Sequence, residues 1–256
     1  RLLDGRLNQL TTFLVQFYLM ENDSSIISNT VLNLKCFSLI YDGLIDRSYD
    51  EICSLLQRMI HLQELTLYLR IGYQGVFLHP IDLINQFSTY SSQLRLFNFY
   101  VSAENHHEHL LSYLNKGEMK QTFLNRKYKQ ILNILPTRVN RSTYHVFTLP
   151  FQFVKLMLIG SELPDIKFDC VTELSIEEVV PFQNKFFVRI SKCFPMLKHF
   201  SVSNSSSILS NQTTAAENIP RDSIIEYPHL IYFELVLKSS INFSMKTKHI
   251  FLVWVT

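Results

Sequence analysis

The chain has 256 residues, of which 47% are hydrophobic and 18% charged, and it contains 20 Phe and 12 Tyr. That apolar content excludes a disordered protein, and the length is sufficient for a core that needs neither disulfides nor metals. Lys and Arg number 24 and Asp and Glu 22, so the formal net charge of +2 is too balanced to identify a partner.

A short apolar pattern, apolar-x-x-apolar-x-apolar, recurs along the chain, and each copy predicts a buried strand. Successive first positions lie 24, 28, 32, 50, 27, 26 and 33 residues apart, and such spacing indicates a repeat protein. The triples are Leu10/Phe13/Val15, Leu34/Phe37/Leu39, Leu62/Leu65/Leu67, Leu94/Phe97/Phe99, Tyr144/Phe147/Leu149, Val171/Leu174/Ile176, Leu197/Phe200/Val202 and Leu230/Phe233/Leu235.

Segments between the triples predict helices. Ser48-Tyr-Asp-Glu51 is a capping box, in which the Ser hydroxyl and the Glu carboxylate bond free amides at a helix start. The apolar stripe behind it is Ile52, Leu55, Leu56, Met59 and Ile60. Three further segments show helical spacing: Pro80 with Ile81, Ile84 and Phe87; Met119 with Phe123, Ile131 and Leu135; and Pro181 with Phe182, Phe186, Ile190 and Cys193.

Strands that alternate with helices predict an α/β fold over residues 1–256, an irregular leucine-rich-repeat solenoid (horseshoe) of seven or eight repeats. Its strands would be parallel and concave and its helices convex. The turns are expected to close irregularly, because the Asn or Cys usual eight residues after each triple begins is missing. An insertion or degenerate repeat is expected at about 103–143 and a mobile loop at about 203–216. No structure is predicted for the last repeat, after Asn242.

Strand residues that alternate with the buried triples are expected on the concave face, where a protein partner would bind. Tyrosine there would supply contact area, and glutamate would favour a basic partner segment. The alternative is a solvated face without a partner. The predicted partner-binding residues are Glu64, Thr66, Tyr68, Asn98, Tyr100, Glu173, Ser175, Glu177, His199, Ser201, Tyr232 and Glu234.

Other candidate sites have plainer interpretations. Glu104-Asn-His-His-Glu-His109 lacks the zincin spacing and is interpreted as loop histidines. Cys170 and Cys193 lie in apolar runs, where a buried thiol acts as a small hydrophobe. The basic residues from Lys116 to Lys129 are interpreted as the solvent face of a helix, and Gly72-Tyr-Gln-Gly75 lacks the Lys of a phosphate loop. We therefore predict no enzyme, metal, cofactor or nucleic-acid partner.

Cysteine usage indicates a reducing compartment, cytoplasmic or nuclear, because the four cysteines form neither a CxxC pair nor a cluster. No apolar run approaches the roughly 18 residues of a membrane span, so no membrane partner is expected. Arg1 at the start and the apolar stretch 250–256 at the end are interpreted as those of a fragment. A secreted protein is the alternative, since Asn-x-Ser/Thr sites occur at Asn22, Asn140, Asn204, Asn211 and Asn242.

Several stretches resemble a lineage-expanded invertebrate family of F-box proteins with degenerate leucine-rich repeats. They are Leu2-Leu-Asp-Gly-Arg-Leu-Asn-Gln-Leu10, Leu56-Gln-Arg-Met-Ile-His-Leu-Gln-Glu-Leu-Thr-Leu-Tyr-Leu69, Tyr144-His-Val-Phe-Thr-Leu-Pro150, Val180-Pro-Phe-Gln-Asn-Lys-Phe-Phe-Val-Arg-Ile190 with Phe194-Pro-Met-Leu-Lys-His199, and Ser223-Ile-Ile-Glu-Tyr-Pro-His-Leu230. The resemblance implies an upstream F-box that docks on the Skp adaptor of a cullin-RING ubiquitin ligase, with repeats that hold the substrate.

Residues 1–256 contain no F-box pattern, so the resemblance implies that they are the substrate-binding half of such a receptor. The alternative is a leucine-rich-repeat binding scaffold, possibly extracellular, with no ubiquitin link. Sequence upstream of Arg1 discriminates the two, since an F-box indicates the first and a signal peptide with a cysteine cap indicates the second.

Overall fold

Strands dominate the part of the chain that the computed structural model describes. The described residues are 10–17, 33–45, 49–72, 93–105, 123–125, 128–134, 142–159, 166–178, 184–204, 225–238 and 247–251. The chain divides into two units, Arg1–Asn133 with Arg141–Leu149 and Ile134–Asn140 with Pro150–Thr256.

The first unit is built on a seven-stranded sheet in the order β1-β2-β3-β4-β7-β6-β5. Strands β1 to β4 are parallel neighbours in chain order, whereas β7 runs antiparallel to β4 and β5 antiparallel to β6. The elements are β1 (Thr12–Phe17), β2 (Cys36–Ile45), α1 (Tyr49–Gln57), β3 (Glu64–Ile71), β4 (Leu96–Asn105), β5 (Phe123–Asn125), β6 (Tyr128–Ile134) and β7 (Ser142–Thr148).

The second unit is built on a five-stranded sheet in the order β12-β11-β10-β9-β8. Strands β8 to β11 are parallel neighbours, and β12 closes the sheet antiparallel to β11. The elements are β8 (Lys155–Ile159), β9 (Glu173–Glu178), α2 (Asn184–Cys193), β10 (His199–Asn204), β11 (Tyr232–Lys238) and β12 (Thr247–Phe251). Each unit is therefore mixed α/β, with parallel strands stacked as in a solenoid. This confirms the predicted α/β class and the predicted stacking of parallel strands.

One backbone connection repeats at the start of these parallel strands. The Thr11 carbonyl accepts hydrogen bonds from the amides of both Lys35 and Cys36, at 2.8 and 3.0 Å. The same arrangement, one carbonyl that accepts from two successive amides, is the entry fork of the other parallel strands. The acceptor carbonyls are those of Lys35, Gln63, Val154, Thr172 and Lys198, and the donor amides are, in the same order, those of residues 63 and 64, 95 and 96, 172 and 173, 198 and 199, and 231 and 232. Each strand is thus fixed at its entry to the strand before it.

A tight turn that the sequence analysis did not predict leads into several strands. The Leu62 amide donates to the Met59 carbonyl at 3.1 Å, which closes a four-residue turn. Its first and last residues are buried, and Ile60 inside the turn is 46% exposed, so the prediction that Ile60 joins the buried helical stripe is wrong. Equivalent bonds close Phe168–Val171 at 3.2 Å, Phe194–Leu197 at 3.3 Å and Tyr227–Leu230 at 3.1 Å.

The predicted triples supply the core. From the triples we predict burial of Leu65, Leu67, Leu174, Ile176, Phe200 and Phe233, and the first five of these are buried. The prediction for Phe233 is wrong, since its side chain is only half-buried. Among the described residues, β12 pairs with β11 from Glu234 to Lys238.

Helix predictions are confirmed at two places. Ile52 and Leu56 of α1 are buried in the core of the first unit, and Phe186, Ile190 and Cys193 of α2 are buried in the second. Ser48, Pro181, Phe182 and the segment predicted after Pro80 lie outside the described residues.

The helix predicted over Met119 to Leu135 is wrong in the part that the structure describes. Phe123 and Ile131 are paired across the antiparallel strands β5 and β6. Residues eight apart, which share a helix face, are here cross-strand neighbours instead. The stretch 103–143 therefore contains strands, and Ser203 and Asn204 belong to β10. The rest of the predicted loop, 205–216, lies outside the described residues.

Tyr144 and Phe147 of the triple Tyr144/Phe147/Leu149 lie on the antiparallel strand β7, which ends before Leu149, so the prediction of this triple as a parallel repeat is wrong. A parallel strand that was not predicted, β8, follows it. Its register shifts between Leu156 and Ile159 at a bulge where Leu158 has a φ of 56°. The bulge turns Ile159 rather than Leu158 into the core.

Candidate partner-binding face

Side chains that alternate with the core of the second unit form a half-exposed polar surface on its parallel strands. Alternation along a strand and equal register between strands place them on one side of the sheet. We call this surface the polar face and define it as Lys155, Glu173, Ser175, Glu177, His199, Ser201, Tyr232 and Glu234.

One row of the polar face crosses four strands at their start. Glu173 lies opposite His199, and His199 opposite Tyr232. The Lys155 Nζ is 3.3 Å from the Glu173 Oε2, with the two side chains 25% and 38% exposed. The rings of His199 and Tyr232 are 6.3 Å apart at their centroids. This row therefore offers an ion pair beside an aromatic contact.

A second row lies two residues further along the strands. Ser175 lies opposite Ser201, which lies opposite Glu234. The Ser201 hydroxyl donates to the Glu234 Oε2 at 3.2 Å, so this carboxylate is oriented within the sheet. Glu177 follows two residues later on β9, opposite Ser203.

Charge on the polar face is predominantly negative. Three glutamates and one lysine give it a formal charge of −2 when histidine is left out of the count. Partly buried charges are screened less by salt than fully exposed ones. The face is thus complementary to a cationic segment of a partner, which such a potential would guide during encounter.

The remaining predicted site residues lie in the first unit, where the antiparallel strand β7 follows the parallel strands. Thr66 lies opposite Asn98, both half-buried, and Glu64 is exposed. Tyr68 and Tyr100, however, are only 2% and 0% exposed. The expectation that their rings offer accessible contact area is therefore wrong.

Packing of the two tyrosines explains their burial. Their rings stack with centroids 4.6 Å apart and an interplanar angle of 20°. The Tyr100 hydroxyl lies 2.9 Å from the Nδ1 of His145, which β7 brings beside it, and Phe147 lies on the same side of β7. The antiparallel strand β7 thus places two buried side chains, His145 and Phe147, beside Tyr100.

No family model, curated protein or solved structure matches the chain.

Lys155 was not predicted as a site residue because β8 was not predicted as a strand. Its neighbours nevertheless carry the same spacing as the other triples, with Phe153, Leu156 and Leu158 at the apolar positions. A search that allowed this triple to follow the previous one closely would have located Lys155 on the polar face.

The described residues contain no group of three or more His, Cys, Asp and Glu that could hold a metal ion. His106 to His109 lie outside the described residues. Cys193 is buried as predicted, but Cys170 is exposed in the turn Phe168–Val171, so its predicted burial is wrong. Neither described helix is long and apolar enough to cross a membrane.

Proposed function

We propose that the chain is a protein-recognition module, the substrate-binding repeat region of an F-box-type cullin-RING ubiquitin ligase receptor. The observation that carries the recognition part is the polar face, which presents side chains from four adjacent strands as one half-exposed surface. The ubiquitin part is supported by the family resemblance of the sequence alone.

The finer architecture belongs to the same proposal. We propose that the stacked strands are those of a degenerate leucine-rich-repeat horseshoe with the polar face on its concave side. The repeated entry fork and the repeated turn support it, as does the position of α1 between β2 and β3 and of α2 between β9 and β10. Leucine-rich repeats likewise pair one strand with one helical or 3₁₀ segment.

The partner segment on the polar face is proposed to be basic. Adjacent strands are about 4.8 Å apart, so Glu173 on β9 and Glu234 on β11 are within reach of one extended peptide. Charge complementarity mainly raises the association rate, whereas the aromatic Tyr232 would contribute contact area.

Two experiments test the two parts separately. For the ubiquitin part, the full-length protein is expected to co-precipitate the Skp adaptor, while residues 1–256 alone do not. Failure of the full-length protein to recover the adaptor overturns this part and favours the scaffold without a ubiquitin link. Recovery of the adaptor by residues 1–256 alone would mean that the docking site lies within these residues, which contradicts docking through an upstream F-box.

For the recognition part, a partner cross-linked to the full-length protein in cells is identified and its association kinetics are measured. Glu173→Lys with Glu234→Lys is expected to lower the association rate by about tenfold at low salt. Glu226→Lys, an exposed residue outside the polar face, makes the same charge change as Glu173→Lys or Glu234→Lys alone, and it is the control for each of these single variants. Equal effects of control and test variants would reject the polar face as the site.

A further inference from the structure

Three side chains with soft metal-binding atoms occupy the same position in three successive turns of the second unit. Each turn is closed by a hydrogen bond from its last amide to its first carbonyl, and the turns are Phe168–Val171, Phe194–Leu197 and Tyr227–Leu230. The third residues of these turns are Cys170, Met196 and His229. We call these three residues the turn column.

The register of the sheet places the members of the turn column next to one another. Each lies three residues before one of the mutually paired residues Glu173, His199 and Tyr232, which begin β9, β10 and β11. Adjacent strands are about 4.8 Å apart, so the outer members are separated by about twice that distance. Met196 lies between Cys170 and His229.

Packing inside the turns fixes their spacing. Phe168 and Phe194, the first residues of two neighbouring turns, are buried, and their rings stack with centroids 4.8 Å apart and an interplanar angle of 8°. The turn column itself faces solvent, because Cys170 and His229 are exposed and Met196 is 39% exposed. Buried rings thus hold a row of accessible side chains at the spacing of the strands.

A contact in the first unit shows that side chains at this position reach one another. His61 is the third residue of the turn that Met59 begins, and it lies three residues before Glu64 as Gln93 lies three before Leu96, the partner of Glu64. The Gln93 Nε2 is 3.5 Å from the His61 Nδ1. Neighbouring repeats can therefore bring polar atoms at this position within bonding reach of a shared group.

The atoms of the turn column are a thiol sulfur, a thioether sulfur and an imidazole nitrogen. Thiolate and thioether ligands favour Cu(I), and imidazole also binds copper. Zn²⁺ is bound by thiolate, imidazole and carboxylate, and no group of three such side chains lies among the described residues. A methionine as the central member therefore favours Cu(I) over Zn²⁺.

We propose that the turn column binds one Cu(I) ion through the Cys170 sulfur, the Met196 sulfur and one ring nitrogen of His229. The outer two side chains lean toward Met196 to share the ion. The Cys170 thiol releases its proton to water when its sulfur binds the metal, and the copper keeps its oxidation state throughout. The sequence analysis predicts no metal site because it expects Cys170 in the core, and exposure of this thiol in the turn removes that objection.

The first test is a titration of the chain with Cu(I), under argon and with ascorbate as reductant, in competition with a colorimetric Cu(I) chelator. The wild type is expected to take one equivalent from the chelator. Loss of an outer partner of a metal ligand typically costs 10- to 100-fold in affinity, so loss of a ligand should cost at least about tenfold. The ligand variants are Cys170→Ser, Met196→Leu and His229→Gln.

Matched controls remove the same chemical groups elsewhere in the chain. Cys36→Ser removes a half-buried thiol, Met157→Leu a half-buried thioether, and His61→Gln the imidazole at the same turn position of the first unit. All three should keep the affinity of the wild type. A wild type that takes no Cu(I), a ligand variant with unchanged affinity, or an equal loss in the controls overturns the three-ligand site.

The second test is X-ray absorption at the copper edge of the Cu(I)-loaded chain, with its mass measured by light scattering. Two sulfur ligands and one nitrogen ligand are expected, and His229→Gln should remove the nitrogen. A copper site without a nitrogen ligand in the wild type rejects the proposal, and so does a dimer that copper bridges through Cys170. No member of the turn column belongs to the polar face, so these outcomes are distinct from failure of the proposed recognition function.

Discussion

The Tyr227 hydroxyl donates a hydrogen bond of 2.8 Å to the backbone carbonyl of Phe187, and this bond ties the turn before β11 to helix α2. The Tyr227 ring also lies 6.0 Å from that of Phe200 in the core of the second unit. Burial raises the pKa of the Tyr227 hydroxyl above its ordinary value of 10.0. A helix and a turn are thus joined by a phenol that the fold keeps protonated.

Replacing Tyr227 with Phe is expected to lower the free energy of unfolding by about 1 kcal/mol at pH 8, through loss of this bond. The cost should shrink at alkaline pH. The unfolded chain releases the phenol proton near pH 10 while the folded chain keeps it, so the stability that Tyr227 contributes is complete below pH 10 and falls above it. The fall is at most about 1.4 kcal/mol per pH unit.

Urea titrations of the wild type and Tyr227→Phe at pH 8 and about pH 11 measure this difference. Tyr232→Phe, which removes a phenol hydroxyl from the half-exposed polar face, controls for the general effect of alkali. A difference between wild type and Tyr227→Phe that is equal at both pH values would contradict the expectation.

The bulge at Leu158 predicts an inverted order of two substitutions. Glycine in a strand interior usually lowers stability by about 0.5 to 1 kcal/mol relative to alanine. At a φ of 56° the β-carbon is unfavourable by roughly 1 to 2 kcal/mol, so Leu158→Gly should be more stable than Leu158→Ala. Denaturant unfolding of both variants checks this, with Leu156→Gly and Leu156→Ala as the pair expected in the usual order.

Phe200 and Phe233 occupy the same position in neighbouring repeats but differ in burial. Phe200→Ala should cost about 3 to 5 kcal/mol, because its buried side chain leaves a cavity. The half-buried Phe233 already meets solvent, so Phe233→Ala should cost less. Equal losses of unfolding free energy in the two variants would mean that Phe233 is as enclosed as Phe200.

The contact between Tyr100 and His145 should show energetic coupling. Both side chains are buried, and removing one partner leaves a polar atom of the other in the core. A double-mutant cycle with Tyr100→Phe and His145→Leu is expected to give a coupling energy of about 1 kcal/mol or more. Thr66→Ala with Asn98→Ala, a half-buried pair on the same sheet, is the comparison. Additive losses at Tyr100 and His145 would contradict the predicted coupling.

Alternation along single strands made much of the core and of the polar face predictable. A strand buries every second residue, so the spacing of Leu174 and Ile176 also indicates where Glu173 and Ser175 point. Strand direction is not contained in that alternation. Tyr144, Phe147 and Leu149 have the same spacing as a parallel repeat, yet the strand that contains Tyr144 and Phe147 runs antiparallel to β4.

Two further differences arise from geometry that a local pattern does not carry. The bulge in β8 shifts the buried position from Leu158 to Ile159, which the spacing of Phe153, Leu156 and Leu158 does not predict. Tyr100 contacts His145 of β7, which lies 45 residues later in the chain, and Tyr68 stacks on Tyr100 from the neighbouring strand β3. Contacts between distant segments therefore account for the predicted site residues that proved inaccessible.

Because each parallel strand is fixed at its entry by a carbonyl that two amides share, the spacing of the strands does not depend on how many residues separate them. Between Thr11 and Gln63 two such junctions join segments of different length. Lengthening a flexible connection costs little, about 0.6 kcal/mol for each doubling. Chains built in this way can therefore differ in the length and sequence of their connections while their sheets keep the same register. Insertions and substitutions are tolerated between the junctions and disfavoured at them.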